Sequence, residues 1–290
     1  MKELLILSGK GGTGKTTVAS AFIKLNSAKA YADCDVDAPN LHLITGEQDQ
    51  GKREDYYGMP KAYIDQSLCI ECDECRQKCR FNAVEVDDGS YKVNQFACEG
   101  CGVCEYVCPV EAVNLRPSVD GDLILYLNEN RVFSTAKLKM GSGTSGLLVS
   151  QVKKRMKSSP IKSEIAIVDG SPGIGCPVIA SLSGAHTVLI VAEPSLSGIS
   201  DMERIIDTAR AFGCQIAVCI NKYDTNINNT NKIKEFCKER SIDYVGEIPF
   251  DSKAVDAINR GQTIVDVDCP SGEAVKEIYR ATMDLLKKES

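Results

Sequence analysis

Eight of the fourteen cysteines lie between positions 69 and 108, in two runs of one spacing. Cys69, Cys72, Cys75 and Cys79 read C-x2-C-x2-C-x3-C, and Cys98, Cys101, Cys104 and Cys108 repeat it, with Pro109 next. The likeness extends past the thiols at an offset of 29 residues. Ile64-Asp65-Gln66 matches Val93-Asn94-Gln95, and Asn82-Ala83-Val84 is similar to Glu111-Ala112-Val113. Three thiols at two-residue gaps wrap a tight loop around three irons of an iron–sulfide cube, and thiolates are the soft, negative ligands such a cluster needs. Structural zinc and disulfides are the competing uses. Zinc usually takes two distant C-x2-C pairs or some histidine, and a reducing cytosol disfavours a disulfide framework.

The spacing is that of two-cluster ferredoxins, in which the fourth cysteine of each run ligates the other cluster. It predicts one [4Fe–4S] cluster on Cys69, Cys72, Cys75 and Cys108, and a second on Cys98, Cys101, Cys104 and Cys79. Arg80 stands where proline usually follows the fourth cysteine, a change that bears on solvation of the second cluster rather than on ligation. Residues 63–116 carry five basic and ten acidic side chains, which is −5 of the chain's formal −6. Such a face either steers a basic redox partner or only solubilises the segment.

A second chemistry is written at the N-terminus. The apolar Leu4-Leu5-Ile6-Leu7 runs into Ser8, then Gly9, Lys10, Gly11, Gly12, Thr13, Gly14, Lys15, Thr16 and Thr17, and then into an amphipathic stretch from Val18 to Leu25. Strand, glycine loop and helix are the context a P-loop requires, and Gly9-x4-Gly14-Lys15-Thr16 fits its pattern. Glycines let backbone N–H groups approach phosphate, Lys15 reaches the β and γ phosphates, and the Thr16 hydroxyl ligates Mg²⁺. Further on come Ala32-Asp33-Cys34-Asp35-Val36-Asp37-Ala38-Pro39-Asn40, and then Ile165-Ala166-Ile167-Val168-Asp169-Gly170-Ser171-Pro172-Gly173. Both are strand ends bearing acids, able to orient water or hold Mg²⁺ through water.

With its extra lysine, Gly9-Lys10-Gly11-Gly12-Thr13-Gly14-Lys15-Thr16 resembles the deviant P-loop of the MinD, ParA, Mrp and nitrogenase iron protein superfamily. The order of motifs resembles its members that carry an inserted ferredoxin domain. The resemblance implies that Lys10 reaches the nucleotide of a partner subunit, across an ATP-bridged homodimer or a heterodimer with a related ATPase. It implies a catalytic set of Lys10, Lys15, Asp35 and Asp169. Asp35 positions the attacking water with Asp33 in support, and Asp169 binds Mg²⁺ through water. It also implies that Gly173 senses the γ-phosphate, that Asn221 reads the adenine edge, and that Pro249 belongs to the loop covering the base. Leu147 departs from the lysine expected after a Ser-Gly pair. Cys176, seven residues beyond Asp169, matches in position a bridging-cluster ligand of the nitrogenase iron protein. Otherwise it is a small buried cysteine beside Pro177.

The elements that must position these groups alternate in type. Strands are expected at 3–8, 29–33, 122–127, 164–169, 187–192, 215–220 and 243–247, with a hairpin over 123–138 around Asn128-Glu129-Asn130. The expected fold is α/β: a doubly wound, mostly parallel sheet of 1–59 and 117–290, interrupted by a ferredoxin domain over 60–116. Lys153, Lys154, Arg155 and Lys157 read as a solvated helix face. Hydrophobic residues at 43% and charged residues at 26% exclude disorder. The apolar runs fall short of the roughly 20 residues a membrane span needs, and net charge argues against a nucleic-acid partner. The expected setting is the cytoplasm of an anaerobic prokaryote. The expected function is a slow or partner-stimulated ATPase that couples nucleotide state to electron transfer toward a redox protein. An iron–sulfur carrier of the Mrp type, serving an acceptor protein, is the alternative, and a MinD- or ParA-like positioning ATPase a third.

Overall fold

The computed structural model describes residues 1–46 and 51–288. Along the chain run β1 (Lys2–Leu7), α1 (Lys15–Asn26), β2 (Ala30–Asp33), α2 (Leu41–Thr45), β3 (Lys52–Tyr57), β4 (Lys61–Ile64), α3 (Glu74–Gln77), β5 (Val84–Asp87), β6 (Ser90–Val93), α4 (Val103–Tyr106) and β7 (Val113–Arg116). They continue through β8 (Val119–Leu127), β9 (Val132–Leu138), α5 (Ser145–Lys157), β10 (Ile165–Asp169), α6 (Cys176–Leu182), β11 (Thr187–Ala192) and α7 (Leu196–Ala211). The last are β12 (Gln215–Asn221), α8 (Ile227–Glu239), β13 (Asp243–Ile248), α9 (Ser252–Asn259) and α10 (Pro270–Lys288).

Two compact units divide the chain. The first is Met1–Arg53, Leu123–Lys137 and Gly146–Ser290, and the second is Glu54–Asp122 with Leu138–Ser145. The second unit is therefore wider than the expected 60–116. The cysteine repeat alone set that expectation, and residues outside it join the unit through contacts without a sequence signature. One is the Tyr56 hydroxyl, which donates to the Thr144 carbonyl at 3.2 Å.

The large sheet has the order β13-β12-β11-β1-β10-β2-β9-β8-β3, and the pairs from β13 through to β9 are parallel. Leu4, Leu5, Ile6 and Leu7 of β1 are all fully buried, as a central parallel strand covered on both faces requires. One core joins Leu4 and Ile6 to Val18 and Phe22 of α1 and to Val275, Ile278 and Leu286 of α10, where the Phe22 and Tyr279 rings meet edge-on at 5.2 Å. The expected hairpin turns at Asn128, whose side chain accepts from the N–H groups of Asn130 and Arg131 at 3.0 and 2.9 Å. β3 was not expected. Lys52, Arg53, Glu54 and Asp55 carry no apolar alternation and are exposed, the charged composition that edge strands tolerate.

The second unit repeats itself. β4, α3 and β5 recur as β6, α4 and β7, each bound shifted by the 29 residues that separate the cysteine runs. The halves exchange strands: β4 pairs antiparallel with β7, and β5 with β6. Its core is Ala62, Ile64, Cys75, Ala83, Val84, Tyr91, Cys98 and Val113. Among the described residues no helix is long and apolar enough to cross a membrane.

The basic run of α5 corrects the expectation of a solvated face. Lys153 is buried, 2.5 Å from the Glu3 carboxylate, and Lys157 reaches the other Glu3 oxygen at 2.8 Å. Lys153 also donates to the carbonyls of Ser181 and Ser183. The helix period turns Lys153 inward with Val149, Val152 and Met156. Removing one partner of such a pair strands a buried charge. Lys153→Ala is expected to destabilise the first unit by about 3–5 kcal/mol, whereas exposed Lys154→Ala stays within about 0.5 kcal/mol. Urea unfolding of the two variants against wild type checks this.

Candidate functional site

The P-loop joins β1 to α1. Gly12 and Gly14 take left-handed backbone, φ 80° and 91°, which only glycine adopts freely. Gly9 is needed for another reason: a Cβ there would lie 2.2 Å from the Asp201 Cβ on α7. β1, β10 and β2 are adjacent and parallel, so their C-terminal ends bring the loop, Asp169 and Asp33 to one edge, where ligands bind in open α/β sheets.

Lys15 is ion-paired with Asp169, at 6% and 0% side-chain exposure. Burial opposes the lysine's charge, but Asp169, Asp33 and Asp35 together outweigh it and raise its pKa. The second Asp169 oxygen, Oδ2, is buried without a hydrogen-bond partner, as suits a carboxylate with an acceptor site left for Mg²⁺-bound water. Asp33, fully buried, accepts from the N–H groups of Asp35, Asn40 and Leu41 at 3.0–3.1 Å. It therefore holds the loop that carries Asp35. The Cys34 N–H donates to the Asp169 carbonyl at 2.7 Å, and the Ser171 hydroxyl to the Cys34 carbonyl, so the two acid-bearing loops are tied. Gly173, φ +92°, donates its N–H to the Ser8 carbonyl at 3.0 Å.

Two cavities meet at the loop. One of about 260 Å³ is lined by Ser8, by Lys10 to Thr17, and by Asp35, Asn40 and Pro172. The other, about 180 Å³, is lined by Gly12, Gly14, Thr17, Asn221, Pro249 and Phe250 among others. Gly12, Gly14 and Thr17 are common to both. The first is polar and rich in backbone N–H groups, suited to phosphates. The second has an apolar wall from Ile248, Ala254, Val255 and Ile258, suited to a flat base. Asn221 donates to the Thr13 carbonyl at 2.7 Å and lies against Gly14.

Of the residues expected at this site, Lys10, Lys15, Thr16, Thr17 and Asp35 line the first cavity, and Asn221 and Pro249 the second. Asp33 and Asp169 stand behind the first, and Gly9 under α7. Cys176 is exposed at the start of α6, packed beside Gly146, so it is not the small buried cysteine of the alternative reading. Leu147 is half exposed. Glu193 was missed. It lies 2.8 Å from Lys10 and 3.6 Å from Lys222. An acid directly after the buried β11 was the available signal.

In the second unit the thiols sort across the repeat. Cys69, Cys72, Cys75 and Cys108 line one small cavity, and Cys98, Cys101, Cys104 and Cys79 line another. Apolar side chains make up much of the remaining walls, Ile64, Val110 and Val113 in the first and Phe81, Val84 and Leu115 in the second, with Glu71 and Asp73 also lining the first and Glu99 the second. Backbone N–H groups of Ala83 and Ala112 point at the sulfurs of Cys79 and Cys108 at 3.3 and 3.2 Å. Burial pushes the Cys75 thiol up to about 11 and raises that of Cys104, so a thiolate there calls for a cationic centre. Among the described residues no disulfide joins the cysteines, and no group of three or more His, Cys, Asp or Glu is placed to hold a single metal ion.

A family model described as CobQ/CobB/MinD/ParA nucleotide binding domain matches residues 4–264. An uncharacterized protein of Methanocaldococcus jannaschii is 31% identical over 291 residues, covering 98% of this chain and 97% of its own. An iron-sulfur cluster carrier protein of Pyrococcus abyssi is 23% identical over 305 residues, covering 99% and 87%. Among solved structures, the septum site-determining protein MinD of Pyrococcus horikoshii, complexed with Mg-ADP, is alike in fold at a TM-score of 0.61 and 16% identity, covering 100% of this chain and 98% of that one.

Burial, then the Asp169 charge, raises the Asp33 carboxyl to about 7. Its folded pKa stands above the unfolded value, so its contribution to stability is full below about pH 4 and is lost as pH rises through about 7. Asp33→Asn removes that dependence. In nucleotide-free protein, the unfolding temperature of the variant relative to wild type is expected to rise from pH 5 to about pH 7 and to level off by pH 8, and thermal melts at unit steps check it.

Proposed function

The chain belongs to the CobQ/CobB/MinD/ParA nucleotide-binding family, and from that premise we propose that it is an ATPase coupling nucleotide state to electron transfer through two [4Fe–4S] clusters. The observation that carries the redox half is the exchange of fourth cysteines. Cys108 lies with the first run and Cys79 with the second, the ligand sets of a two-cluster ferredoxin. Each foursome lines its own pocket, with N–H groups turned to the sulfurs of Cys79 and Cys108, and its C-x2-C-x2-C spacing suits a cubane better than one zinc ion. When bound, the clusters supply one-electron chemistry.

The chain's own residues do the rest. Backbone N–H groups from Gly11 to Thr16 bind the phosphates, and Lys15 leaves Asp169 to reach them. Thr16 and the free Asp169 oxygen suit Mg²⁺ and its water. Burial raises the Asp35 carboxyl above its usual range, which equips it to orient a water and take its proton. Asn221 and Pro249 hold the base. Lys10 reaches across to the nucleotide of a second subunit, in an ATP-bridged dimer.

A second reading, an iron–sulfur cluster carrier, is favoured by the 23% identical carrier of Pyrococcus abyssi. Anaerobically purified protein, reduced and followed with and without MgATP, separates the two. About eight irons per chain, retained with a nucleotide-dependent potential, supports electron transfer. Transfer of cluster to an apo-acceptor supports the carrier, and indifference to nucleotide overturns both.

Two substitutions sharpen this. Lys15→Ala is expected to lower ATP turnover at least about 100-fold by removing phosphate contact while leaving iron content unchanged. Cys79→Ser is expected to disturb the cluster of Cys98, Cys101 and Cys104 rather than that of its own run, which electron paramagnetic resonance of the reduced protein reads.

A further inference from the structure

Lys10 already has partners within its own chain. Its Nζ lies 2.8 Å from the Glu193 carboxylate and donates to the Ser195 hydroxyl at 3.1 Å. Glu193 is fixed where β11 passes into α7. Its carbonyl accepts from the Ser195 N–H at 2.8 Å, and Ser195 caps α7 by accepting from the Gly198 N–H at 3.1 Å. Gly198 allows this turn, because a Cβ there would meet the Glu193 carbonyl at 2.4 Å. The same carboxylate faces Lys222 at 3.6 Å, and Lys222 donates to the Gly12 carbonyl at 3.3 Å. Glu193 thus gathers a loop lysine and the residue after Asn221 against the rim of the phosphate cavity.

Glu193 and Ser195 compete with a second subunit's nucleotide for the three N–H donors of Lys10. We propose that Glu193 is a positioning residue that holds Lys10 in its own chain and thereby sets the ATP threshold for dimer formation. This rests on the ATP-bridged dimer of the preceding section. Lys10 and Glu193 are 36% and 22% exposed, so each latch holds its lysine by a factor of only about two to five. A dimer opens two latches, and the apparent dissociation constant is raised by the product, about four- to 25-fold. The latch is strong enough to suppress dimers at low ATP and weak enough for bound nucleotide to overcome.

The test compares wild type with Glu193→Gln, Glu193→Asp, Lys10→Ala and the double variant E193Q/K10A, as full chains. Acylation of Lys10 by an amine-reactive ester, read by mass spectrometry against exposed Lys154 as internal reference, reports the latch. Sedimentation with Mg²⁺ and the non-hydrolysable analogue AMP-PNP reports the dimer. Glu193→Gln is expected to raise Lys10 acylation about two- to fivefold and to tighten the dimer about four- to 25-fold. Glu193→Asp should stay near wild type, and the double variant should match Lys10→Ala. Unchanged Lys10 acylation overturns the latch. A dimerising wild type whose midpoint Glu193→Gln leaves unmoved overturns the threshold alone. Wild type and variant that both stay monomeric overturn the dimer reading and the threshold with it.

Discussion

Much of the first unit is organised around a lysine and an aspartate that have almost no water. Lys15 and Asp169 are buried at the edge of the sheet with Asp33 behind them. Two buried carboxylates that close repel each other and are costly to desolvate, and only the ammonium between them makes the arrangement tenable. The sheet order makes it possible. β10 lies between β1 and β2, so a residue from each of three strands or their following loops reaches one point. The apolar layers on both faces keep that point dry. The same dryness makes each polar atom there costly to leave unpaired, and the spare Asp169 oxygen stands out for that reason.

Where chemistry constrains spacing, the sequence was readable. The glycines and lysines of the P-loop, the acids at 33, 35 and 169, and Asn221 all fall where strands end, and the central strands are continuous apolar runs. The parallel strands of the large sheet begin and end within a residue or so of expectation. Legibility failed where a residue's role depends on something distant in sequence. Lys153 looks like one of four surface charges until Glu3, on a strand 150 residues earlier, is folded against it. Glu193 is one acid among many until Lys10 is placed beside it. β3 turns only Tyr56 inward, too little of an apolar pattern to mark a strand, and the neighbouring strand defines it.

The second unit shows the complementary case, in which a repeat is legible and its consequences follow from pairing. The 29-residue period appears in thiols, strands and short helices alike. At the left-handed positions inside the cysteine runs, the second half uses Gly100 and Gly102 while the first uses Glu71 and Asp73. The second half thus adopts that backbone at no steric cost, while the first strains two acidic residues into it. Asp73 is then anchored by a bidentate contact from Arg76, both at 2.6 Å.

The strand exchange between β4 and β7, mirrored by the exchange of Cys79 and Cys108, makes the two halves mutual scaffolds. Neither half carries a complete set of walls, so neither cavity forms while the other half is unfolded. Oxidation of Cys79 or Cys108 is therefore felt in the cavity of the other run and not in that of its own. Such a unit folds as one object, and a chain cut between the repeats would leave two pieces, each short of its strand partners and of one wall.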